Sequence, residues 1–172
     1  MAVTSRKWHG RRWLAMIVDL EALVFSGGTA PPVAEQAAYV VIDDAGEEVG
    51  AGFFSVRQTM GPRDIAVRFG MSRSAMDAAV EGYCRVTGDR DIVHSMHGEP
   101  TWHDVRHHLE RTAAACDWVF AKGATLERRL LPGIAMRIVD LEWFGCPRYP
   151  ARVHDPLAEC RFFARFLSPR AK

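Results

Sequence analysis

The clearest hydrophobic pattern in the chain is a run of apolar residues at positions 14–18, which is followed by Asp19 and Glu21. An apolar run without polar interruptions predicts a central β-strand that is covered on both faces of its sheet. Because side chains alternate along a strand, the two carboxylates are expected on the same face. The pattern therefore predicts a buried strand that carries two acids at its end.

Two more strands are predicted at residues 37–42 and 49–56, and a turn at 43–47 joins them into an antiparallel meander with the first strand. Residues 57–73 give no clear pattern, because glycine and proline interrupt it. From residue 116 onward strand and helix patterns alternate, which predicts parallel strands joined by crossover helices. The remaining predicted elements are helices at 74–83, 101–113, 124–131 and 155–167, and strands at 118–121 and 135–141.

The composition of the chain indicates the size of its domain, its net charge and the compartment in which we expect it. With 172 residues and 48% hydrophobic composition, the chain has enough apolar material for one core, and we expect a single domain at residues 13–168. Residues 1–12 are basic and predict a flexible tail. Because the net charge is only +1, contact with a polyanion would depend on a local patch. No apolar run approaches the roughly 20 residues of a membrane span and no secretory segment is recognisable, so we expect an intracellular protein without a membrane partner.

Four short motifs, taken in order, resemble those of a known nuclease family. Val18-Asp-Leu-Glu21 provides an Asp-x-Glu at a strand end, and residues 121–127 follow a predicted strand and open a helix. Residues 138–140 form another strand end, and residues 154–159 begin with a histidine and end with an acid. In this order the motifs resemble the DEDDh family of 3′-to-5′ exonucleases, which belongs to the ribonuclease H-like superfamily. The resemblance extends over residues 13–167.

Three features depart from the family pattern. Lys122 and Gly123 replace a His-Asn pair, and Glu127 and Glu159 stand where the family has aspartates. Each acid remains an acid, although its side chain is one methylene longer.

The resemblance implies an α/β fold, with a ribonuclease H-like mixed sheet of five strands in the order 3-2-1-4-5 and flanking helices. It also implies hydrolysis of phosphodiester bonds at the ends of single-stranded DNA or RNA, with two Mg²⁺ or Mn²⁺ ions. Carboxylates suit such hard cations, and two ions can activate water and stabilise the leaving oxygen. The implied metal ligands are Asp19, Glu21, Glu127 and Glu159, and His154 is the implied general base.

A second, weaker resemblance uses sulfur ligands. The residues Glu127, Cys146, His154 and Cys160 are similar to the Glu-Cys-His-Cys set of Maelstrom domains, which have a ribonuclease H-like fold and hold structural zinc. Because the cysteines of the chain form no CxxC pair, buried free thiols are the simpler interpretation. A catalytically impaired nucleic-acid-binding domain and a protein-interaction module are further alternatives. The sequence does not determine the oligomeric state or the choice between DNA and RNA.

Overall fold

Five strands of the described chain form one mixed sheet. The computed structural model describes residues 13–25, 30–56, 62–88, 100–152 and 154–168, and the predicted basic tail at residues 1–12 lies outside them. The strands are β1 (Leu14–Leu23), β2 (Val33–Asp43), β3 (Glu48–Ser55), β4 (Trp118–Ala121) and β5 (Ile138–Asp140). Their order in the sheet is β3-β2-β1-β4-β5, which confirms the predicted order 3-2-1-4-5.

The central strand β1 has neighbours on both edges. It pairs antiparallel with β2 along its length, and parallel with β4 at residues 15–17. β2 pairs antiparallel with β3, and β4 pairs parallel with β5, which confirms the predicted meander followed by parallel strands. β1 also continues to Leu23, so Asp19 and Glu21 lie within the strand and not after it.

The helices of the described residues are α1 (Pro62–Arg68), α2 (Arg73–Thr87), α3 (Trp102–Ala114), α4 (Thr125–Leu130) and α5 (Pro156–Leu167). Three of them, α2, α3 and α5, start at a short polar side chain that caps them, whereas α4 starts at Ala124 without a side-chain cap. α3 begins with the predicted capping box between Thr101 and Asp104. α5 begins with Asp155 as its cap and Pro156 at its first position, also as predicted. These caps satisfy backbone N–H groups that a helix start leaves unpaired. None of the helices in this part of the chain has the length and apolar character that a membrane crossing requires.

The helices cover the two faces of the sheet with different partners. α3 and α4 pack on one face, where Val18, Leu109 and Leu131 belong to a single apolar cluster. α5 packs on the opposite face, where Ile17 and Phe163 belong to a second cluster. Because side chains alternate along β1, Asp19 and Glu21 share the α5 face with Ile17.

Two elements differ from the prediction. α1 falls in the region at 57–73 that gave no pattern, because a helix of 7 residues is too short to show a helical period. The strand predicted at 135–141 is shorter, since Ala135–Arg137 forms a 3₁₀ turn and only Ile138–Asp140 is extended. A short apolar segment fits either structure, so its pattern could not locate the start of β5. A second 3₁₀ helix, Leu141–Phe144, follows β5.

Candidate metal centre

The centre lies where β1 runs on past its parallel neighbour. In the described sheet, β4 pairs with β1 as far as Ile17, so the following residues of β1 have an open edge on that side. Asp19 and Glu21 lie just beyond this point, and a β-bulge after Glu21 bends the pairing with β2. Asp19 is only 9% exposed. The sequence therefore places a carboxylate in the core, at the middle of the sheet.

α4 supplies the third acid across this open edge. The Glu127 Oε1 atom accepts a hydrogen bond of 3.3 Å from the backbone N–H of Leu20, which β4 does not pair. The Glu127 side chain is buried. The contact joins residues 107 positions apart and holds the Glu127 carboxylate beside the segment that carries Asp19 and Glu21.

Asp140, at the end of β5, fixes the turn from which α4 starts. Its Oδ1 atom accepts a hydrogen bond from the Gly123 N–H at 3.0 Å, and its Oδ2 atom accepts one from the Ala124 N–H at 3.1 Å. Gly123 has a φ of 65°, which glycine adopts more easily than other residues. Sequence reasoning identified Asp140 only as a strand end, because nothing local shows that its partners lie 17 and 16 residues earlier.

α5 supplies the fourth acid, and the residue before its cap is the histidine. Glu159 lies on the first turn of α5, and His154 directly precedes the cap. The His154 Nδ1 atom lies 3.2 Å from Glu21 Oε1 and 2.9 Å from Glu159 Oε1. Only the first contact has hydrogen-bond geometry. In the described part of the chain, these three residues form the one group of metal-ligand side chains whose atoms all lie within 4.8 Å of one another.

Burial raises the pKa of all four acids above the values of free carboxyls. It is the largest cause that raises the pKa of Asp19 well above its ordinary value, followed by the nearby charge of Glu127. Burial also raises the pKa of Glu127 to about 8 and the pKa of Glu159 to about 7. The pKa of Glu21 is raised by burial as well, although His154 opposes the shift. Without a cation, the cluster therefore retains protons at neutral pH.

Three carboxylate oxygens of this cluster are buried without a hydrogen-bond partner: Asp19 Oδ2, Glu127 Oε2 and Glu159 Oε1. Leaving such atoms unpaired costs free energy, which a bound cation would offset. Several carboxylate oxygens brought together are the ligands that Mg²⁺ and Mn²⁺ prefer. The residues present therefore fit a hard divalent cation.

The sulfur ligands of the zinc alternative lie in the apolar core. Cys146 and Cys160 both belong to the cluster under α5, and the Cys160 thiol donates to the backbone carbonyl of Ala38 at 3.6 Å. Burial raises the pKa of both thiols, which disfavours the thiolate form that zinc binds. Among the described residues, neither sulfur joins His154 in a group of three close ligand atoms. The zinc set stays a prediction.

Comparison with known proteins relates this chain to others through its fold. No protein-family model matches the sequence, and no curated protein sequence matches it. Solved structures of E. coli exonuclease I do match. The complex with a dT13 oligonucleotide has a TM-score of 0.54 at 8% identity, over 91% of this chain and 40% of the other. The complex with a 5cy-dA13 oligonucleotide has a TM-score of 0.52 at 9% identity, over the same shares.

At this level of identity the likeness shows the fold alone. The chain has the ribonuclease H-like fold that the sequence predicted, with a mixed five-stranded sheet between helices. It spans 40% of the length of exonuclease I, so the likeness does not carry over the activity of that longer protein.

Proposed function

We propose that this chain is a metal-dependent 3′-to-5′ exonuclease of the DEDDh type, which hydrolyses phosphodiester bonds at the ends of single-stranded DNA or RNA. The observation that carries the proposal is the convergence of four carboxylates and a histidine at the open edge of β1. Three of the carboxylates keep buried oxygens without hydrogen bonds. A purely structural role does not account for several buried carboxylate oxygens without hydrogen bonds, because each of them lowers stability.

The residues that would hold two Mg²⁺ or Mn²⁺ ions are Asp19, Glu21, Glu127 and Glu159. When bound, the ions would lower the pKa of an attacking water and stabilise the leaving oxygen. The protein's own contribution is to hold the four acids together on three fixed elements, β1, α4 and α5, against their mutual repulsion. The charges of the other three acids all raise the pKa of Asp19, so Asp19 lies within electrostatic reach of each of them.

His154 is placed to accept the proton of the attacking water. Its Nδ1 atom faces the carboxylates of Glu21 and Glu159, which favours a hydrogen on Nδ1 and leaves Nε2 as the proton acceptor. Its side chain is 43% exposed, so solvent can take the proton afterwards. A general base needs both a free acceptor atom and a route for the proton.

Single-stranded nucleic acid is the substrate class that fits this chemistry. The two exonuclease I structures contain single-stranded oligonucleotides, which supports a similar substrate here. The charge of the whole chain is only +1, so attraction of a polyanion depends on local cations. Arg128 and Arg129 provide such cations on α4, directly after Glu127 of the candidate centre.

The proposal is tested with end-labelled oligonucleotides and the Asp19→Asn variant. The wild-type chain should shorten a 5′-labelled single strand stepwise when Mn²⁺ or Mg²⁺ is added, and EDTA should stop the reaction. Asp19→Asn should lower the rate by about a hundredfold or more, because it removes a charged ligand. Asp77→Asn on the exposed surface of α2 is the matched control and should leave the rate unchanged. Equal rates for the wild type and Asp19→Asn would refute the assignment.

One observation favours a catalytically impaired nucleic-acid-binding domain as the second candidate. The His154 Nδ1 atom already lies close to both Glu21 and Glu159, so the imidazole can occupy the place that an ion would take. This candidate predicts binding of single strands without metal-dependent cleavage. The same oligonucleotides, followed by a binding assay in EDTA and a cleavage assay in Mn²⁺, distinguish the two functions.

A further inference from the structure

Two large aromatic side chains lie exposed at the end of the sheet that carries the candidate centre. Trp143 and Phe144 belong to the 3₁₀ helix that follows β5, and their exposed fractions are 73% and 61%. Because β1, β4 and β5 are parallel, the carboxyl end of β5 lies at the same end of the sheet as Asp19. The proposed mechanism uses only the four acids and His154, so it does not explain why a tryptophan is exposed at this position.

The Trp143 ring is held in place by ordered contacts. The Arg128 guanidinium lies 5.6 Å from the ring centroid, at cation–π distance. The same guanidinium donates a hydrogen bond of 2.8 Å to the Ile138 carbonyl, so Arg128 is itself fixed to β5. Asp140 Oδ1 accepts a hydrogen bond of 2.9 Å from the Glu142 N–H, which fixes the start of the 3₁₀ helix. The ring is therefore presented on a supported surface.

Two residues, Arg128 and Asp140, connect this surface to the candidate centre. Arg128 follows Glu127 in α4, so the residue that contacts Trp143 is adjacent in sequence to a proposed metal ligand. Asp140 holds both the turn before α4 and the 3₁₀ helix that carries Trp143. A strand that leaves the centre along this side would meet the tryptophan face.

The charged side chains near Trp143 indicate the chemical class of the binding partner. Arg128 and Arg129 lie on α4, and among the described residues neither forms an ion pair with a carboxylate. Lys122 lies 3.2 Å from Glu142 Oε1, which neutralises the nearest exposed acid. Aromatic rings next to arginines match single-stranded nucleic acid, because bases stack on the rings and phosphates approach the cations.

We propose that the surface formed by Trp143, Phe144 and Arg128, the aromatic surface, binds a base of a single-stranded nucleic acid by stacking. The inference rests on the proposed function for its substrate class and adds a position at which the strand is held. Stacking does not read base identity, so binding should tolerate different sequences.

The test measures binding of a fluorescently labelled oligothymidine to the full chain in EDTA, where cleavage cannot interfere. Trp143→Ala should raise the Kd about tenfold, and Trp143→Phe should retain most of the affinity because it keeps an aromatic face. Trp118→Ala is the matched control, because Trp118 is 54% exposed but lies at the start of β4, opposite Ala15 at the far end of β1. A strand built only of abasic sugar phosphates should bind the wild type and Trp143→Ala equally.

Two outcomes would overturn the aromatic surface: no binding by the wild type, or an equal Kd for Trp143→Ala and Trp118→Ala. Loss of affinity in Trp143→Ala that persists with the abasic strand would also overturn it, because stacking requires bases. Failure of the proposed function gives a different result. If the wild type binds the strand through Trp143 but does not cleave it with Mn²⁺, the surface stands and the exonuclease proposal fails.

Discussion

The two halves of β1 differ in the side chains that they bury. The amino half has strand partners on both edges at residues 15–17 and buries apolar side chains on both faces. The carboxyl half loses β4 as a neighbour and carries two acids whose pKa values are raised by burial. Burial of apolar surface stabilises a fold, whereas burial of unpaired carboxylates destabilises it. A single strand thus separates the residues that maintain the fold from those that we propose to bind metal.

The largest effect should follow from a cavity in the amino half. Ile17→Ala should lower the free energy of unfolding by about 2–5 kcal/mol, because Ile17 is fully buried under α5. Asp19→Asn should leave the unfolding free energy unchanged or slightly higher, since burial and the nearby acids raise the pKa of Asp19 and an uncharged amide avoids the cost of a buried charge. Urea unfolding of both variants in EDTA measures the difference. A loss in Asp19→Asn as large as that in Ile17→Ala would show that both halves serve the fold.

The buried acid that α4 brings against the carboxyl half of β1 should also make stability depend on pH. Glu127 has a pKa of about 8 in the folded chain and an ordinary pKa of 4.5 when unfolded. The folded state therefore binds more protons between these values, and stability decreases as the pH rises through this window. In EDTA, the unfolding free energy should fall by about 2–4 kcal/mol from pH ~5 to pH ~8.

The Glu127→Gln variant tests the source of this slope, because its amide oxygen can still accept the Leu20 N–H but cannot ionise. The variant should be more stable than the wild type at pH ~8 and should show a flatter pH profile. Thermal melts across the pH range measure both quantities. A profile that rises with pH in both proteins would contradict the assignment of buried, protonated acids.

A bound ion should reverse the cost of the carboxyl half. If the acids bind Mg²⁺ or Mn²⁺, each tenfold increase of the ion above its Kd should add about 1.4 kcal/mol per bound ion to the unfolding free energy. The gain should largely disappear in Asp19→Asn and persist in Ile17→Ala. Calorimetric melts at increasing Mn²⁺ provide the measurement. Purified chain that contains one zinc per molecule, lost together with the fold in Cys146→Ser, would instead support the zinc alternative.

The sequence predicted those parts of the molecule that local patterns encode. The apolar run at 14–18 identified the central strand, because only a strand covered on both faces accommodates it. Thr101 and Asp155 located two helix starts, because caps act within one helical turn. The site residues were proposed from motif order, and the structure places Glu21, His154 and Glu159 close together.

The sequence did not predict contacts that depend on where distant strands end. The bond from Leu20 to Glu127 exists because β4 stops pairing with β1 after Ile17, and no local pattern records that position. The bonds from Asp140 to the turn before α4 depend in the same way on the length of β5. Such contacts belong to the packed structure and not to any one segment.

The smallest effect separates Glu127 and Glu159, the two glutamates that α4 and α5 bring to the candidate centre. Glu127→Asp should lower the unfolding free energy by about 0.5–1.5 kcal/mol, because the shorter side chain withdraws from the Leu20 N–H. Glu159→Asp should change it by less than about 0.5 kcal/mol, because Glu159 Oε1 contacts the part-exposed His154 at 2.9 Å without hydrogen-bond geometry. Cleavage should weaken more in Glu127→Asp than in Glu159→Asp. If Glu127→Asp instead cleaves faster than the wild type, the aspartate length of the DEDDh pattern fits this backbone, and the Leu20 contact is dispensable for positioning the acid.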